Sequence, residues 1–187
     1  MEDKLLEKIL ANLRVGIAKV ESSNFKNPYE ALPPVDPETG KRISSATGKY
    51  QFLKAWLKDD IKYSSGKIGK RKNAKGQVVD GIATFAKKSG VFGEIKSMED
   101  FKNNPELQEA YFTYYAKNVL IPEAQKIAAK NPLGLSIDEI ASQIHFQGYT
   151  KARDTIQSGK LLSKTKDNAS QATYLDRYNE GIAEKGL

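Results

Sequence analysis

Apolar residues recur at intervals of three and four along most of the chain, the spacing that places them on one face of an α-helix. The first such segment runs from Asp3 to Val20. Its apolar stripe consists of Leu6, Leu10, Leu13, Ile17 and Val20. Glu21 lies four residues past Ile17, so the stripe ends in a carboxylate. We therefore expect an amphipathic helix with Glu21 at its C-terminal end.

The pattern changes twice before the middle of the chain. Residues 22–40 are rich in Ser, Asn, Pro and Gly, which predicts a loop that carries at most a short hairpin. Helical spacing returns from Ser45 to Ile61, with an apolar face of Phe52, Leu53, Trp56, Leu57 and Ile61. Residues 62–80 are basic and rich in glycine, which indicates a flexible surface loop or a small β-hairpin. For residues 82–88 the periodicity leaves helix and strand both open.

Helix-start signals mark the second half of the chain. Ser97 with Asp100 predicts a helix start, and Ser136 with Glu139 has the pattern of a capping box. Asn104–Pro105 predicts a further helix start. The apolar and aromatic face of that helix is Leu107, Tyr111, Phe112, Tyr115 and Val119. Pro122 predicts a kink or an interruption, with a second piece that ends near Asn131.

A final helix is expected from about Asn168 to residue 185, with Tyr174, Tyr178 and Ile182 turned inward. Together these segments predict a mainly α fold with at most a minor β-hairpin. They also predict one domain over residues 1–187. Its core would span about residues 3–160, and the helix over 168–185 would pack on that core.

The composition limits the chemistry. Of 187 residues, 39% are hydrophobic and 28% are charged, which is ordinary for a globular domain and argues against global disorder. The absence of cysteine excludes disulfides, thiol catalysis and thiolate metal sites. His145 is the single histidine, so we expect neither a histidine-rich metal site nor a cofactor. The net charge of +7 favours an anionic partner, without selecting among nucleic acid, lipid headgroups and cell-wall polymers.

The N-terminal segment differs from a signal peptide, because charges interrupt its apolar residues in MEDKLLEKILANLRVG. No stretch of the sequence approaches the roughly 20 apolar residues of a membrane span. We therefore expect synthesis in a cytoplasm, no membrane span, and access to any extracellular target without a secretory signal of its own.

Three short motifs are candidates for chemistry. The first is Glu21-Ser22-Ser23, where the first predicted helix stops. The negative end of the helix dipole disfavours an ionised carboxylate there, which suits a glycosidase acid that must stay protonated near neutral pH. A solvated glutamate at a frayed helix end is the alternative, and position alone favours it.

The other two motifs are candidates for sugar contacts. SSATGKYQF, residues 44–52, places Tyr50 and Gln51 after a glycine-containing turn. IHFQGY, residues 144–149, holds His145, Gln147 and Tyr149 at the end of the capped helix. Amides and aromatic rings hold sugars through paired hydrogen bonds and stacking. The alternatives are an ordinary helix start with Tyr50 in the core, and a structural histidine.

In order and spacing, these motifs resemble those of the soluble lytic transglycosylase and goose-type lysozyme superfamily, especially its bacteriophage members. AKVESSNF is similar to the end of that family's first helix, which implies that Glu21 is the catalytic acid and base. Gly48-Lys49-Tyr50-Gln51 resembles the family's Gly-x-x-Gln turn in the substrate groove. The string TGKYQFLKAWLKDD also resembles a stretch of the phage lambda endolysin, itself a transglycosylase. The resemblance covers about residues 10–160.

Two later segments extend the resemblance. NPELQEAYFTYYAKNVL is similar to the helix that the family places behind the groove. HFQGYTKARDTIQSG stands where the family has a Tyr-Asn-Ala-Gly-like motif, with His145 and Phe146 in place of the Tyr-Asn pair, as in a His-Phe-x-Gly variant of phage relatives. The substrate-binding residues that the resemblance implies are Ser22, Tyr50, Gln51, Tyr111, His145, Gln147 and Tyr149.

The resemblance implies a peptidoglycan lytic transglycosylase that cleaves the β-1,4 bond between N-acetylmuramic acid and N-acetylglucosamine. Glu21 would protonate the glycosidic oxygen, then accept the proton of the muramoyl C6 hydroxyl as that oxygen closes on C1, leaving a 1,6-anhydro end. The substrate's acetamido group would stabilise the positive charge, so a second carboxylate is not required. Peptidoglycan strands are the expected partner of such a phage-encoded protein, which would act on the wall either from the virion or as an endolysin released at lysis. Other virion or lysis proteins are further candidate partners.

Two alternatives stay open. A hydrolysing muramidase needs a second carboxylate, for which the loop PPVDPETG offers Asp36 and Glu38, although acidic residues in such loops are usually solvated. An inactive lysozyme-like structural protein of a virion would retain the scaffold alone. The basic run Lys67, Lys70, Arg71, Lys72 and Lys75 is either a solubilising loop or an attachment to an anionic wall. Nucleic acid binding is not expected, because only the charge indicates it.

Overall fold

The structure is a computed structural model that describes residues 3–62, 65–161 and 171–187. Its described residues are mainly helical, with one small antiparallel ribbon, which confirms the predicted fold class. They divide into two compact units. The described residues of the first unit fall within Met1–Val20 and Tyr115–Leu187, and those of the second fall within Glu21–Tyr114. The expectation of a single lysozyme-like domain over residues 1–187 stays a prediction.

The elements follow one another with short connections. The α-helices are α1 (Asp3–Ser22), α2 (Ile82–Ser89), α3 (Met98–Lys102), α4 (Pro105–Tyr115), α5 (Ile121–Ala128), α6 (Ile137–Gln147), α7 (Tyr149–Gln157) and α8 (Gln171–Glu184). The remaining elements are 3₁₀ turns at Pro28–Glu30 and Lys54–Trp56, a π-helix at Ala116–Leu120, and strands β1 (Asp60–Lys62) and β2 (Ile68–Lys70). The predicted start of the last helix at Asn168 lies outside the described residues.

Helix α1 confirms the first predicted helix and continues two residues further, to Ser22. The stripe residues that are fully buried are Leu10, Leu13 and Ile17. At Gly16 the ring of Tyr178 occupies the space of a side chain, so that a Cβ there would overlap with the ring. A Cβ on Gly181 of α8 would likewise overlap with the side chain of Lys19. The glycines therefore let α1 and α8 pack at short range within the first unit.

A buried polar cluster joins α1, α6 and α8 in this unit. Asp138 accepts hydrogen bonds at Oδ2 from Asn12 Nδ2 (2.9 Å) and from the Tyr178 hydroxyl (3.0 Å). Ser136 donates to the other carboxylate oxygen of Asp138 at 2.7 Å, and it caps α6 together with Glu139, which confirms that capping box. Both oxygens of this buried carboxylate are thus satisfied, as a charge removed from water requires.

The predicted interruption at Pro122 is a change of helix type. Residues Ala116–Leu120 form a π-helix, and Pro122 stands in the first turn of α5. Proline has no N–H to donate to the preceding turn, so this position tolerates the irregularity. Helix α5 ends at Ala128, three residues before the predicted end at Asn131. The buried face of α5 consists of Ile121, Ala124 and Ile127.

The predicted helix from Ser45 to Ile61 is wrong. The segment contains a tight turn, the 3₁₀ turn at Lys54–Trp56 and the start of β1. Phe52 and Leu57 are buried as the pattern suggested, but Leu53 is 47% exposed. The helix fails because Gly48 and Gln51 both have positive φ, at 79° and 50°, and an α-helix requires negative φ.

An aromatic cluster forms the core of the second unit. Phe52 lies at its centre, with edge-on contacts to Phe101 (5.8 Å between ring centroids) and Tyr111 (5.2 Å). Helix α2 resolves the open question over residues 82–88 in favour of a helix, which ends at Ser89 and is capped by Gly90 with φ 70°. Helices α3 and α4 begin where predicted, α3 with a complete capping box at Ser97.

The basic stretch after Ile61 is a β-hairpin, one of the two predicted forms. Strands β1 and β2 pair antiparallel, with Asp60 opposite Lys70 and Lys62 opposite Ile68. A further antiparallel bridge joins Lys72 to Val78. Among the described helices, none is both long enough and apolar enough to cross a bilayer.

Candidate functional site

Glu21 is the penultimate residue of α1, and its side chain is partly exposed. The next residue, Ser22, is only 1% exposed, so it belongs to the support of the helix end and offers little surface to a sugar. The chain then turns, and the N–H of Phe25 donates to the carbonyl of Ser22 at 3.0 Å. Glu21 thus belongs to a regular helix, and the residue that ends this helix, Ser22, is buried.

The Gly48–Gln51 motif is a four-residue turn closed by a pair of backbone hydrogen bonds. Thr47 N–H donates to the carbonyl of Phe52 at 3.0 Å, and Phe52 N–H donates back at 3.1 Å. Gly48 N–H donates to the carbonyl of Ala31 at 2.9 Å. The turn is therefore fixed both to itself and to the preceding loop.

The side chain of Gln108, in α4, stabilises the Gly48–Gln51 turn by hydrogen bonding. Its side chain is fully buried, and its oxygen accepts a hydrogen bond from Lys49 N–H at 2.8 Å. Its amide nitrogen lies 3.0–3.2 Å from three backbone carbonyls, those of Tyr29, Phe101 and Lys102. A Cβ on Gly48 would overlap with the Gln108 oxygen, so this approach requires glycine.

Gln51 turns its amide nitrogen toward the backbone of its own loop. The Nε2 atom donates to the carbonyls of Gly48 (2.9 Å) and Ala31 (3.2 Å). Among the described residues, none donates a hydrogen bond to the Gln51 side-chain oxygen. The side chain is partly exposed, so this oxygen is a fixed acceptor at the surface of the turn.

Tyr50 belongs to the core and does not present a stacking face. It is fully buried, and its ring stacks on Phe112 with centroids 3.8 Å apart and planes 12° apart. Its hydroxyl donates to Glu109 Oε2 at 2.7 Å. Tyr50 thus lies in the core environment that the sequence also allowed, and its predicted sugar contact stays a prediction that would require the ring to become accessible.

Glu109 gathers three donors around one half-buried carboxylate. Besides Tyr50, it accepts hydrogen bonds from Lys49 Nζ (2.7 Å) and from the Tyr29 hydroxyl (2.9 Å). Burial acts to raise the pKa of Glu109, but the hydrogen bonds from Lys49 and Tyr50 outweigh it and leave the pKa below its usual value of 4.5. Glu109 therefore stays ionised at neutral pH and ties Lys49 and Tyr50 to α4.

Tyr111 also lies in the buried core, so its predicted sugar contact would require the ring to become accessible. Its ring is fully buried in the aromatic cluster, and its hydroxyl donates to the carbonyl of Asp80 at 3.0 Å. The resemblance placed this helix behind a groove, and burial of the Tyr111 ring leaves no surface for a sugar.

The three later candidates, His145, Gln147 and Tyr149, lie in the first unit. His145 is partly exposed and meets Tyr115 edge-on, with ring centroids 5.9 Å apart. Tyr149 opens α7 and is partly exposed, with the guanidinium of Arg153 at 5.8 Å from its ring centroid. Both rings therefore retain accessible surface.

Gln147 is engaged with other amides. Its nitrogen donates to Gln143 Oε1 at 3.4 Å, and its oxygen accepts from Gln171 of α8. Next to it, Phe146 stacks on Tyr174 with centroids 4.4 Å apart. The predicted sugar contact of Gln147 would require these partners to be exchanged.

The loop acids that could serve as a second carboxylate stabilise their own turn or lie exposed. Asp36 accepts hydrogen bonds from the N–H groups of Glu38 (2.8 Å) and Thr39 (3.4 Å). The backbone bond from Glu38 is the main cause that holds the pKa of Asp36 below 3.8. Glu38 itself is exposed. No group of three or more metal-ligating side chains lies together in the described part of the chain.

A groove of about 480 Å³ lies along α2. Its lining is mainly small side chains, including Ala83, Ala86 and Gly90, with Lys87 and Glu94 as the charged members. None of the predicted site residues lines this groove.

Sequence reasoning missed Gln108 and Glu109. The signal was present, because Gln108 lies three and four residues before Tyr111 and Phe112 and thus on the apolar face of α4. A polar side chain on such a face must find buried partners.

Comparisons of the chain with protein-family models, with curated proteins and with solved structures found no match.

Proposed function

We propose that this chain cleaves the glycan strands of bacterial peptidoglycan as a lytic transglycosylase, with Glu21 as its catalytic acid and base. The observation that carries the proposal is the Gly48–Gln51 turn, which belongs to the same compact unit as Glu21. Gln51 has a φ of 50°, which costs a non-glycine residue about 1 kcal/mol or more. Such strain persists where the surroundings enforce it, and it concentrates at ligand sites.

The turn offers one sugar contact directly. The Gln51 oxygen is a fixed acceptor for a hydroxyl or an acetamido N–H, because its own amide nitrogen is bound to the Gly48 and Ala31 carbonyls. Preorganised acceptors of this kind avoid the entropy of ordering a side chain on binding. Tyr50, Gln108 and Glu109 support the turn from behind.

Glu21 performs both proton transfers. Its carboxylic acid gives a proton to the glycosidic oxygen as the bond from that oxygen to the muramoyl C1 breaks. The resulting carboxylate takes the proton of the C6 hydroxyl while the C6 oxygen bonds to C1. The products are a free hydroxyl on one strand and a 1,6-anhydro end on the other, and no water is consumed.

The state of the loop acids supports a mechanism with one carboxylate. A retaining or inverting hydrolase would need a second carboxylate opposite the first. The Asp36 carboxylate accepts hydrogen bonds from N–H groups of its own turn, which favours a structural role. We therefore prefer the transglycosylase to the hydrolysing muramidase.

The test is digestion of purified sacculi by the wild type and by Glu21→Gln, with Glu106→Gln as the control. Glu106 is exposed in the first turn of α4. We expect Glu21→Gln to lose about 10²–10⁴-fold in the rate of clearing, the usual contribution of a general acid, and Glu106→Gln to match the wild type. Mass spectrometry of the released muropeptides should find anhydro ends.

Three results would overturn the proposal. Equal clearing by the wild type and Glu21→Gln would remove Glu21 from the chemistry. Products with reducing ends alone would assign hydrolysis. If the wild type leaves sacculi of several wall chemistries intact, the structural virion protein becomes the better interpretation.

A further inference from the structure

Most of the net positive charge of the chain lies in one segment. Between Lys54 and Val79 lie eight basic and two acidic residues, so this stretch carries +6 of the formal net charge of +7. Its seven lysines are all exposed. Arg71 is 8% exposed and lies over the Trp56 ring, with the guanidinium 3.6 Å from the ring centroid. The exposed positive charge of this segment is therefore entirely lysine.

The hairpin places two exposed aliphatic side chains among these lysines. We call strands β1 and β2, together with the Lys72–Val78 bridge, the basic hairpin. Ile68 is 67% exposed and stands directly opposite Lys62. Val78 is 52% exposed and stands opposite Lys72. Each exposed aliphatic residue is thus paired across the ribbon with an exposed lysine.

The two acidic residues of this segment, Asp59 and Asp60, offset only part of the positive charge of its lysines. Asp60 pairs with Lys70 at 2.9 Å. Asp59 accepts hydrogen bonds from Gly81 N–H (2.7 Å) and Thr84 Oγ1 (3.1 Å), which bind it to α2. The other six lysines of the segment make no ion pair with the described residues, and four of them, Lys62, Lys67, Lys72 and Lys75, lie in the stretch from β1 to the Lys72–Val78 bridge.

We propose that the basic hairpin binds the surface of an anionic lipid bilayer. Lysines near such a surface gain attraction to the phosphate headgroups, and adjacent aliphatic side chains gain by entering the headgroup boundary. An anionic polymer in water would use the lysines alone, because it offers no apolar phase to Ile68 and Val78. This inference goes beyond the proposed function and does not depend on it.

The test is sedimentation of the full chain with vesicles of phosphatidylcholine, with and without phosphatidylglycerol. We expect binding only to the anionic vesicles, and weakening as salt is raised. A variant with Lys62, Lys67, Lys72 and Lys75 changed to Gln should bind at least tenfold more weakly, since each lysine is worth about fivefold. Changing Lys8, Lys130, Lys151 and Lys185 to Gln removes the same charge elsewhere and should have a much smaller effect.

A second variant separates a bilayer from a polymer. Ile68→Ser with Val78→Ser keeps the charge and should weaken vesicle binding several-fold. Thermal unfolding of each variant checks that the fold is retained. Absence of binding to anionic vesicles, equal loss in the two lysine variants, or no effect of the serine variant would each overturn the proposal. Tight binding to teichoic acid or DNA with no binding to vesicles would assign a polymer as the partner.

Discussion

The side-chain oxygen of Gln108 lies where a Cβ on Gly48 would stand, and it accepts a hydrogen bond from the neighbouring Lys49 N–H at 2.8 Å. A buried amide and a glycine, distant in sequence, therefore specify one turn together. The glycine gives access to the backbone, and the amide removes the cost of burying an N–H without a partner.

Gly48→Ala should destabilise the protein by about 2–4 kcal/mol. The change places an alanine in a left-handed backbone conformation, and its Cβ would overlap with the Gln108 side chain. Gly40→Ala is the matched control, since Gly40 has a φ of 65° but nothing near its Cβ. It should cost only about 1 kcal/mol. Chemical denaturation measures both, and equal losses would show that the overlap is relieved by small shifts.

Glu109→Gln should weaken the fold by about 1 kcal/mol at pH 7, because it removes the charge that Lys49 and Tyr50 contact. The lowered pKa of Glu109 means that its stabilisation is present above the usual value of 4.5 and is lost as pH falls through the lower folded value. Denaturation midpoints of the wild type and the variant should therefore converge in acid. A gap independent of pH would contradict this account.

Glu123→Gln should stabilise the protein at alkaline pH. Burial raises the pKa of Glu123 to about 7, with Lys126 acting in the opposite direction. The folded state therefore holds a proton that the unfolded state releases, and wild-type stability falls as pH rises from about 4.5 to about 7. After allowance for partial exposure, the variant should gain about 1–2 kcal/mol above pH 7 and little below pH 4.5. Thermal unfolding across this range measures the gain, and a gain that does not change with pH would contradict this account.

Tyr178→Phe should cost about 1–3 kcal/mol, because it removes a donor from the buried Asp138 carboxylate. Tyr149→Phe is the control, since Tyr149 is partly exposed and its ring contact with Arg153 does not use the hydroxyl. Urea denaturation compares the two. If both variants match the wild type, a water molecule replaces the lost donor.

Sequence patterns predicted those elements whose conformation depends on residues close to them in the chain. The stripe of α1 and the serine caps of α3 and α6 depend on neighbours within one or two turns, so periodicity and capping rules are sufficient. The predicted helix from Ser45 to Ile61 is wrong because the chain turns at Gly48–Gln51, where a distant residue, Gln108, accepts the Lys49 N–H.

The same limit applies to the candidate site. Glu21 and the Gly48–Gln51 motif stood out in sequence, but the motif's aromatic residue proved to be buried. Tyr50 could be a platform or a core ring, and only its stacking on Phe112 decides between them. Gln147 likewise has a partner in α8, Gln171, that spacing does not reveal.

The π-helix at Ala116–Leu120 has a consequence for insertions and deletions. A π segment holds one residue more than the α-helix that would replace it. Deleting one residue there would turn α5 by about 100° around its axis and move Ile121 and Ile127 off the buried side. A related chain without this extra residue would therefore have to shift its apolar pattern by one position beyond Pro122, a phase change that is visible in sequence alone.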